Sequence, residues 1–434
     1  MKKTISAQCE RFPAIGGKVP LHLWGAIGAL IYGALTWYSL NSQNLSPTAF
    51  YGLLGSGFVL SLVAFRCSAA ISPVQLLLWA ATFRLFGCLG QPLLEDDFYR
   101  YLWDGYRFLE SGSPYGIAPA AFFGDRTIPQ QFINVLAQVN YPQIPTIYGP
   151  TLEYSFLLAH LIVPAQVWPL QVLYSLLDLA LIALLLKMVE ARWVLLYAWS
   201  PLVIKELAFT AHPDGVGVFF LMLALFWRQR QYFAGASVAL ALSVGAKVFA
   251  WLLVPFVLWR MPLRYLAVFA LVLIGLYAPF LVHGDADLAG LRVFVERWQF
   301  NGSLYRLLQH WLSPVVLKIL LAAVFLAFYL WVFARHSRVD WRMPRGDWLF
   351  GVFFLFAPVV NAWYLIWLLP FAVIYPTAWA WSASFAVLLS YMIGINFMGN
   401  TDLPLLQRPW WVLSLEYGVV LMAVVFDWLR TRKP

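Results

Sequence analysis

The sequence predicts an all-α fold, a polytopic transmembrane helical bundle, and three observations carry that expectation. Of its 434 residues, 62% are hydrophobic and only 11% are charged, which is more apolar surface than one water-soluble core can hide. The apolar residues come in blocks of about 17 to 25, the length a helix needs to cross roughly 30 Å of hydrocarbon. A membrane barrel would show short alternating segments instead.

The elements follow in order. Lys2, Lys3, Arg11 and Lys18 precede the first block, 21–40, and no small-residue cleavage site follows it, so it reads as an uncleaved signal anchor. Blocks 49–65 and 72–90 complete three spans and deliver the segment 91–149 to the outer side as a first loop. Blocks 150–166, 168–187, 193–209 and 214–227 then lead to Arg228 and Arg230. Parity fails there by one crossing, so 150–166 or another short block is re-entrant or incomplete. Block 232–259 must start and finish on one side, which predicts a broken hairpin with Lys247 near its outer turn. Block 263–283 leads to a second outer loop, 284–313, and 314–334 returns to the basic run from Arg335 to Arg345. Blocks 347–359, 363–375, 381–397 and 411–428 complete about twelve to fourteen crossings of a single membrane domain, 1–434.

The positive-inside rule places the clusters at the N-terminus, Arg228/Arg230, Arg260/Arg264, Arg335 to Arg345 and Arg430/Arg432/Lys433 in the cytoplasm, with both termini. A net charge of +9 carried in short loops reads as topology signal and not as a nucleic-acid face. Cys9, Cys67 and Cys88 have neither disulfide-framework nor zinc-site spacing.

The strongest chemical signal follows the third block: Glu95-Asp96-Asp97-Phe98-Tyr99-Arg100-Tyr101-Leu102-Trp103-Asp104-Gly105, ending in Ser113-Pro114-Tyr115. On a helix, Phe98, Leu102, Tyr106 and Leu109 share one side while Asp97, Arg100, Tyr101 and Asp104 share the other. An interfacial amphipathic helix is expected, apolar face on the bilayer and acidic face toward a watery cleft. A structural alternative is that Asp97, Arg100, Asp104 and Arg107 merely pair along a solvated surface. That alternative leaves Asp96 unexplained, and with it the three acids at a hydrocarbon boundary, where charge is costly.

This run resembles the first outer loop of the glycosyltransferase C superfamily, in particular members that use polyprenyl-phosphate mannose or related lipid-linked sugars. Further matches continue in order: Tyr141-Pro142 to Thr146-Ile147-Tyr148-Gly149-Pro150, then Trp199-Ser200-Pro201-Leu202 with Glu206 before His212-Pro213-Asp214, then Lys247 and Asn361-Ala362-Trp363-Tyr364. Pro213 stands where relatives often carry Asn, and Gly149 where a second Pro is expected.

The resemblance implies inverting transfer of a mannose-like hexose from a polyprenyl-phosphate donor to a lipid-linked or periplasmic glycan acceptor at a bacterial inner membrane. It maps the catalytic base to Asp96 or Asp97, of which Asp97 shares the polar face. A departing phosphate needs no protonation, so one base suffices, whereas a glycoside hydrolase would want two carboxylates flanking the bond. Charge building on the phosphate calls for cations. The candidates are Lys247, Arg100, Arg297 and Arg306, with Lys247 foremost as a lone cation in an apolar run; a snorkelling lysine is its structural alternative. His212 and Asp214, in a predicted outer turn, and Tyr148 are candidates for contacts to sugar or phosphate. Asp104, Tyr101, Asn361, Trp363 and Tyr364 are candidates for the acceptor side or interface, an aromatic belt being the alternative for the last three.

No cofactor is expected to be required; a lone His with one Asp two residues away is a poor metal site, although a divalent ion is compatible with the superfamily. Expected partners are the donor, the acceptor and membrane lipids, with no nucleic acid. The second loop carries His283, Asp285, Asp287, Arg292, Glu296, Arg297, Asn301 and Arg306, and Asn301-Gly302-Ser303 matches a glycosylation sequon only formally. Arg84 and Asp178, deep in predicted spans, are expected to pair with each other or with backbone. The competing functions are a lipid-linked-sugar flippase or transporter, and a glycan polymerase or ligase with a lipid diphosphate donor.

Overall fold

Proline at the first turn sets where many of the helices begin, because its missing N–H is one of those a helix start leaves unbonded. A computed structural model describes residues 19–41, 46–68, 70–282, 286–392 and 410–431. The sequence readings at Lys2, Lys3, Cys9, Arg11, Lys18, His283, Asp285, Arg432 and Lys433 lie outside them.

Helix α1 (Leu21–Asn41) packs against both α2 (Pro47–Cys67) and α3 (Pro73–Leu89) in an entry group. The amphipathic helix α4 (Phe98–Ser111) and the short α5 (Gln130–Leu136) belong to the first loop, which ends at α6 (Pro150–Ile162). Next come α7 (Trp168–Leu186), α8 (Ala191–Ala198), a turn Pro201–Val203 that runs into a π-helical turn Ile204–Phe209, and α9 (Asp214–Gln229). Then follow α10 (Phe233–Ala246), a 3-10 stretch Val248–Leu253 with Val254–Leu258, and α11 (Leu263–Leu281). Beyond the second loop helix α12 (Leu288–Arg297) lie α13 (Pro314–Ser337), α14 (Gly346–Phe356), the paired short segments Ala362–Trp367 and Leu369–Ile374, α15 (Ala378–Ala386) and α16 (Trp410–Thr431). The described residues form an all-helical molecule without strands.

Among the described residues six helices, α1, α2, α7, α11, α13 and α16, are individually long and apolar enough to cross a membrane, and the pair Pro201–Phe209 with Asp214–Gln229, bent by 117°, is a broken span or a re-entrant loop. The twelve to fourteen crossings expected from the sequence therefore do not appear as equivalent rods. Several of the remaining blocks are shorter or broken, and they sit inside. Only 11% of the apolar window of α11 and 17% of that of α13 are buried, so their side chains face outward as a hydrocarbon surround requires.

The broken elements occupy the core because irregular backbone at membrane depth must find its hydrogen bonds within the protein. The π-helical turn is fully buried, and Gln171 of α7 donates to the Phe209 carbonyl at 2.7 Å. Backbone N–H of His212 reaches Glu206 at 2.8 Å across the 117° bend. Block 232–259 is the hairpin its parity demanded: Arg228, at the end of α9, donates to the carbonyls of Val257 at 3.0 Å and Trp259 at 2.9 Å, so the block starts and ends beside one residue. Lys247 sits at the far break. Block 150–166 yields a helix of only 13 residues, as an incomplete crossing would.

Candidate active site

Helix α4 carries the acidic run, but its polar face is not a watery one. Arg100, Tyr101 and Asp104 are buried with Leu102, Trp103 and Tyr106 against α5, α6 and α7, which corrects the expected open cleft. Gly105 makes that burial possible, since a Cβ there would lie 2.6 Å from the Phe156 carbonyl of α6. The Arg100 guanidinium donates to the carbonyls of Ile144 at 2.9 Å, Asn140 at 3.2 Å and Tyr141 at 3.1 Å. It clamps the loop before α6 and also lines the cavity that Asp97 borders.

The clamped loop presents Asn140, whose amide donates to Asp96 at 2.7 Å and Asp97 at 2.8 Å. Behind Asp97 lies His212. Its Nε2 stands 3.8 Å from Asp97, and its Nδ1 bonds Glu206 at 2.9 Å. The ring stacks on Trp363 with centroids 3.8 Å apart and planes 17° from parallel. Glu206 in turn accepts from the Tyr391 hydroxyl at 2.7 Å and pairs with Lys205 at 3.2 Å. A carboxylate, an imidazole and a second carboxylate thus run from the core to the loop.

Three of the seven left-handed non-glycine residues among the described residues flank this chain of groups. Leu94 (φ 62°), Tyr141 (φ 46°) and Ala211 (φ 58°) are left-handed non-glycine residues beside Glu95, Asn140 and His212. Each such residue costs about 1 kcal/mol or more, a sacrifice typical of segments held for function.

The environment separates the acids. Burial would raise Asp97, but the nearby His212 imidazole, the hydrogen bond from Asn140 and the charge of Lys247 outweigh it and hold the carboxyl below its ordinary range. Partial desolvation beside the loop, and then the neighbouring Asp97 charge, push Asp96 up. Burial, then Asp97, push Glu95 up to about 8. Asp97 is accordingly the acid held ionised.

Asp97 also lines a largely apolar cavity of about 580 Å³, shared with Tyr148, Lys247, Asn361, Trp363 and Tyr364. Lys247, at the tip of the broken hairpin, is held by both oxygens of Asp214 at 2.7 Å and lies 4.6 Å over the Tyr364 ring. The Trp367 indole donates to the same Asp214 at 2.7 Å.

The structure gathers some sequence candidates at this cavity and disperses others. Asp97, Arg100, Tyr148, Lys247, Asn361, Trp363 and Tyr364 are gathered. Trp363 and Tyr364 are buried, which removes the aromatic-belt alternative for them. His212 and Asp214 are fully enclosed behind Asp97 and Lys247 and do not line the cavity. Asp96 is exposed and outside the cavity lining, and Tyr101 and Asp104 are buried away from it. Arg297 is exposed and Arg306 lies 5.4 Å over Trp410; neither lines the cavity. Lys318 and Asp287 do, without having been singled out for it. Burial pushes Asp287 up to about 6.

Other expectations are met. Arg84 donates to Asp178 at 2.6 Å in the core. The amide of Asn301 is buried against Glu416 at 2.8 Å, so the formal sequon is not presented. Glu95, Asp97 and His212 each offer a ligand atom within 4.8 Å of the others, a spacing open to a metal ion that the His212/Asp214 spacing does not suggest. In comparisons with known proteins, no family model, no curated protein and no solved structure matches the chain.

Proposed function

We propose that the chain is an inverting hexosyltransferase that takes a mannose-like sugar from a polyprenyl-phosphate donor on the outer face of a bacterial-type inner membrane and passes it to a lipid-linked or periplasmic glycan. The observation that carries this reading is the placement of an ionised carboxylate, Asp97, and a cation, Lys247, on the walls of one largely apolar cavity.

The chemistry runs as follows. An acceptor hydroxyl held at Asp97 attacks the anomeric carbon from the face opposite the phosphate, and its proton passes to the Asp97 carboxylate. The C–O bond to phosphate breaks as the new one forms, which inverts the anomeric centre. Charge growing on the phosphate is met by Lys247, whose ammonium has a third N–H beyond the two engaged by Asp214. A base of low basicity serves because the leaving group is good and the hydroxyl proton becomes acidic only late. His212 orients Asp97, and Glu206 fixes His212. The apolar walls suit a prenyl chain.

One observation favours the transporter alternative: buried charges, Lys205 and Glu206, sit within a bent helix pair of the kind that lines transport sites. A single experiment separates the two. Purified protein is given synthetic polyprenyl-phosphate mannose or glucose with a membrane lipid extract, and labelled product is followed for wild type, Asp97→Asn and Asp96→Asn. Asp97→Asn is expected to lose about 10²- to 10⁴-fold in rate, the usual worth of a general base, and Asp96→Asn less than about tenfold. Absence of product with either donor, together with protein-dependent movement of donor across liposomes, would replace the enzyme by a transporter.

A further inference from the structure

A second cavity, of about 590 Å³, lies at the other end of α13 and α14. Lys318, Leu321 and Phe325 of α13 face the first cavity, whereas Trp331, Arg335 and His336 face the second. Lys318 and Arg335 are separated by about 25 Å of helical rise. The second cavity therefore has no part in the site around Asp97.

Its chemistry is cationic and aromatic. Arg335, Arg342 and Arg345 line it. Arg345 is neutralised by Asp347, to which it donates at 2.9 and 2.6 Å, and its guanidinium lies 4.3 Å over Trp348. Arg335 lies 4.3 Å over Trp331. Among the described residues no carboxylate comes within ion-pair distance of Arg335 or Arg342. The His336 ring is buried, and its Nε2 has no hydrogen-bond partner. A cavity with two unneutralised guanidinium groups, a buried nitrogen without a partner and an indole rim calls for an anion with an apolar continuation. Phosphate is the anion that arginine forks fit, and the exposed apolar flank of α13 suits acyl chains.

We infer that this cavity binds the phosphate-bearing headgroup of an anionic phospholipid in the leaflet at the arginine-rich end, which the positive-inside rule makes the cytoplasmic one. The inference is independent of what Asp97 does.

The test is native mass spectrometry of the full chain in a neutral detergent, titrated with phosphatidylglycerol and, separately, phosphatidylcholine. Wild type is expected to bind one phosphatidylglycerol at least tenfold more tightly than phosphatidylcholine, and Arg335→Gln/Arg342→Gln to lose that preference. Arg338→Gln, an exposed residue outside the cavity lining, keeps it. Equal affinity of the wild type for both lipids overturns the inference whether or not the variants fold. So does an equal loss in Arg338→Gln, which would mean diffuse surface charge. Inorganic phosphate raising the wild-type Tm as much as phosphatidylglycerol does would overturn the lipid source and leave a phosphate site.

Discussion

Asn140 shows what a single residue contributes to the proposed chemistry. Its amide donates to both acids, and at Asp97 this bond favours the ionised form. Removing it in Asn140→Ala raises the Asp97 pKa, so less of the carboxylate is ionised at any given acidic pH. The acid limb of a pH–rate profile is therefore expected to move to higher pH, with turnover at neutral pH changed far less; an unmoved limb would mean that Asp97 is not the titrating base. Asp97 and Lys247 were legible in the sequence because charge at a hydrocarbon boundary or in an apolar run is rarely idle. Asn140 was not, since an amide in a polar loop carries no signal. Nor was the contact of Glu206 with His212, six residues on, because helical periodicity does not pair those positions and only the π-helical turn and the left-handed Ala211 bring them together. Asp214 was legible as chemistry but its role was not, because its partner Lys247 lies 33 residues away across a hairpin.

Whole elements meet at glycines, and one junction controls the site. Gly149 starts α6 where the resemblance led us to expect proline, and a Cβ there would lie 2.2 Å from the Gly245 carbonyl at the end of α10. Two backbones touch, and Lys247 follows two residues later. Gly149→Ala must push α10 away, at about 1–3 kcal/mol for overpacking, and displace Lys247 with it. Lower Tm in detergent and reduced sugar transfer are expected together. Gly52→Ala and Gly55→Ala, in α2 with open space at the added Cβ, are the controls and should leave Tm unchanged or higher. Full stability in Gly149→Ala would show that the junction is loose. The long rods were readable within a few residues from hydropathy alone. The broken elements read as spans of their own, because composition reports that a segment is buried but not whether protein or lipid buries it.

At the scale of the whole molecule, the fold sorts charge into two ends. Arg228 reaches the carbonyls of Val257 and Trp259 and packs on Trp341, Arg260 donates to Ser337 at 3.2 Å, and Arg345 stands by Tyr375; these contacts draw the basic loops into one face. The acids Asp96 and Asp97, Asn140 and the second-loop helix α12 lie at the other end of α13, near the first cavity. By the positive-inside rule such a polarity predicts the orientation, arginine-rich end to the cytoplasm. Arg126, exposed in the first loop, and Arg338, exposed after α13, report on the two ends. With the native cysteines replaced by serine, Arg126→Cys should react with a membrane-impermeant maleimide in right-side-out vesicles and Arg338→Cys only in inverted ones. Labelling of both in the same preparation would place the two ends on one side of the membrane, and with that the proposed outer-face chemistry would lose its geometry. The reverse pattern would keep the two-ended fold and put Asp97 in the cytoplasm, where a nucleotide sugar would be the more accessible donor.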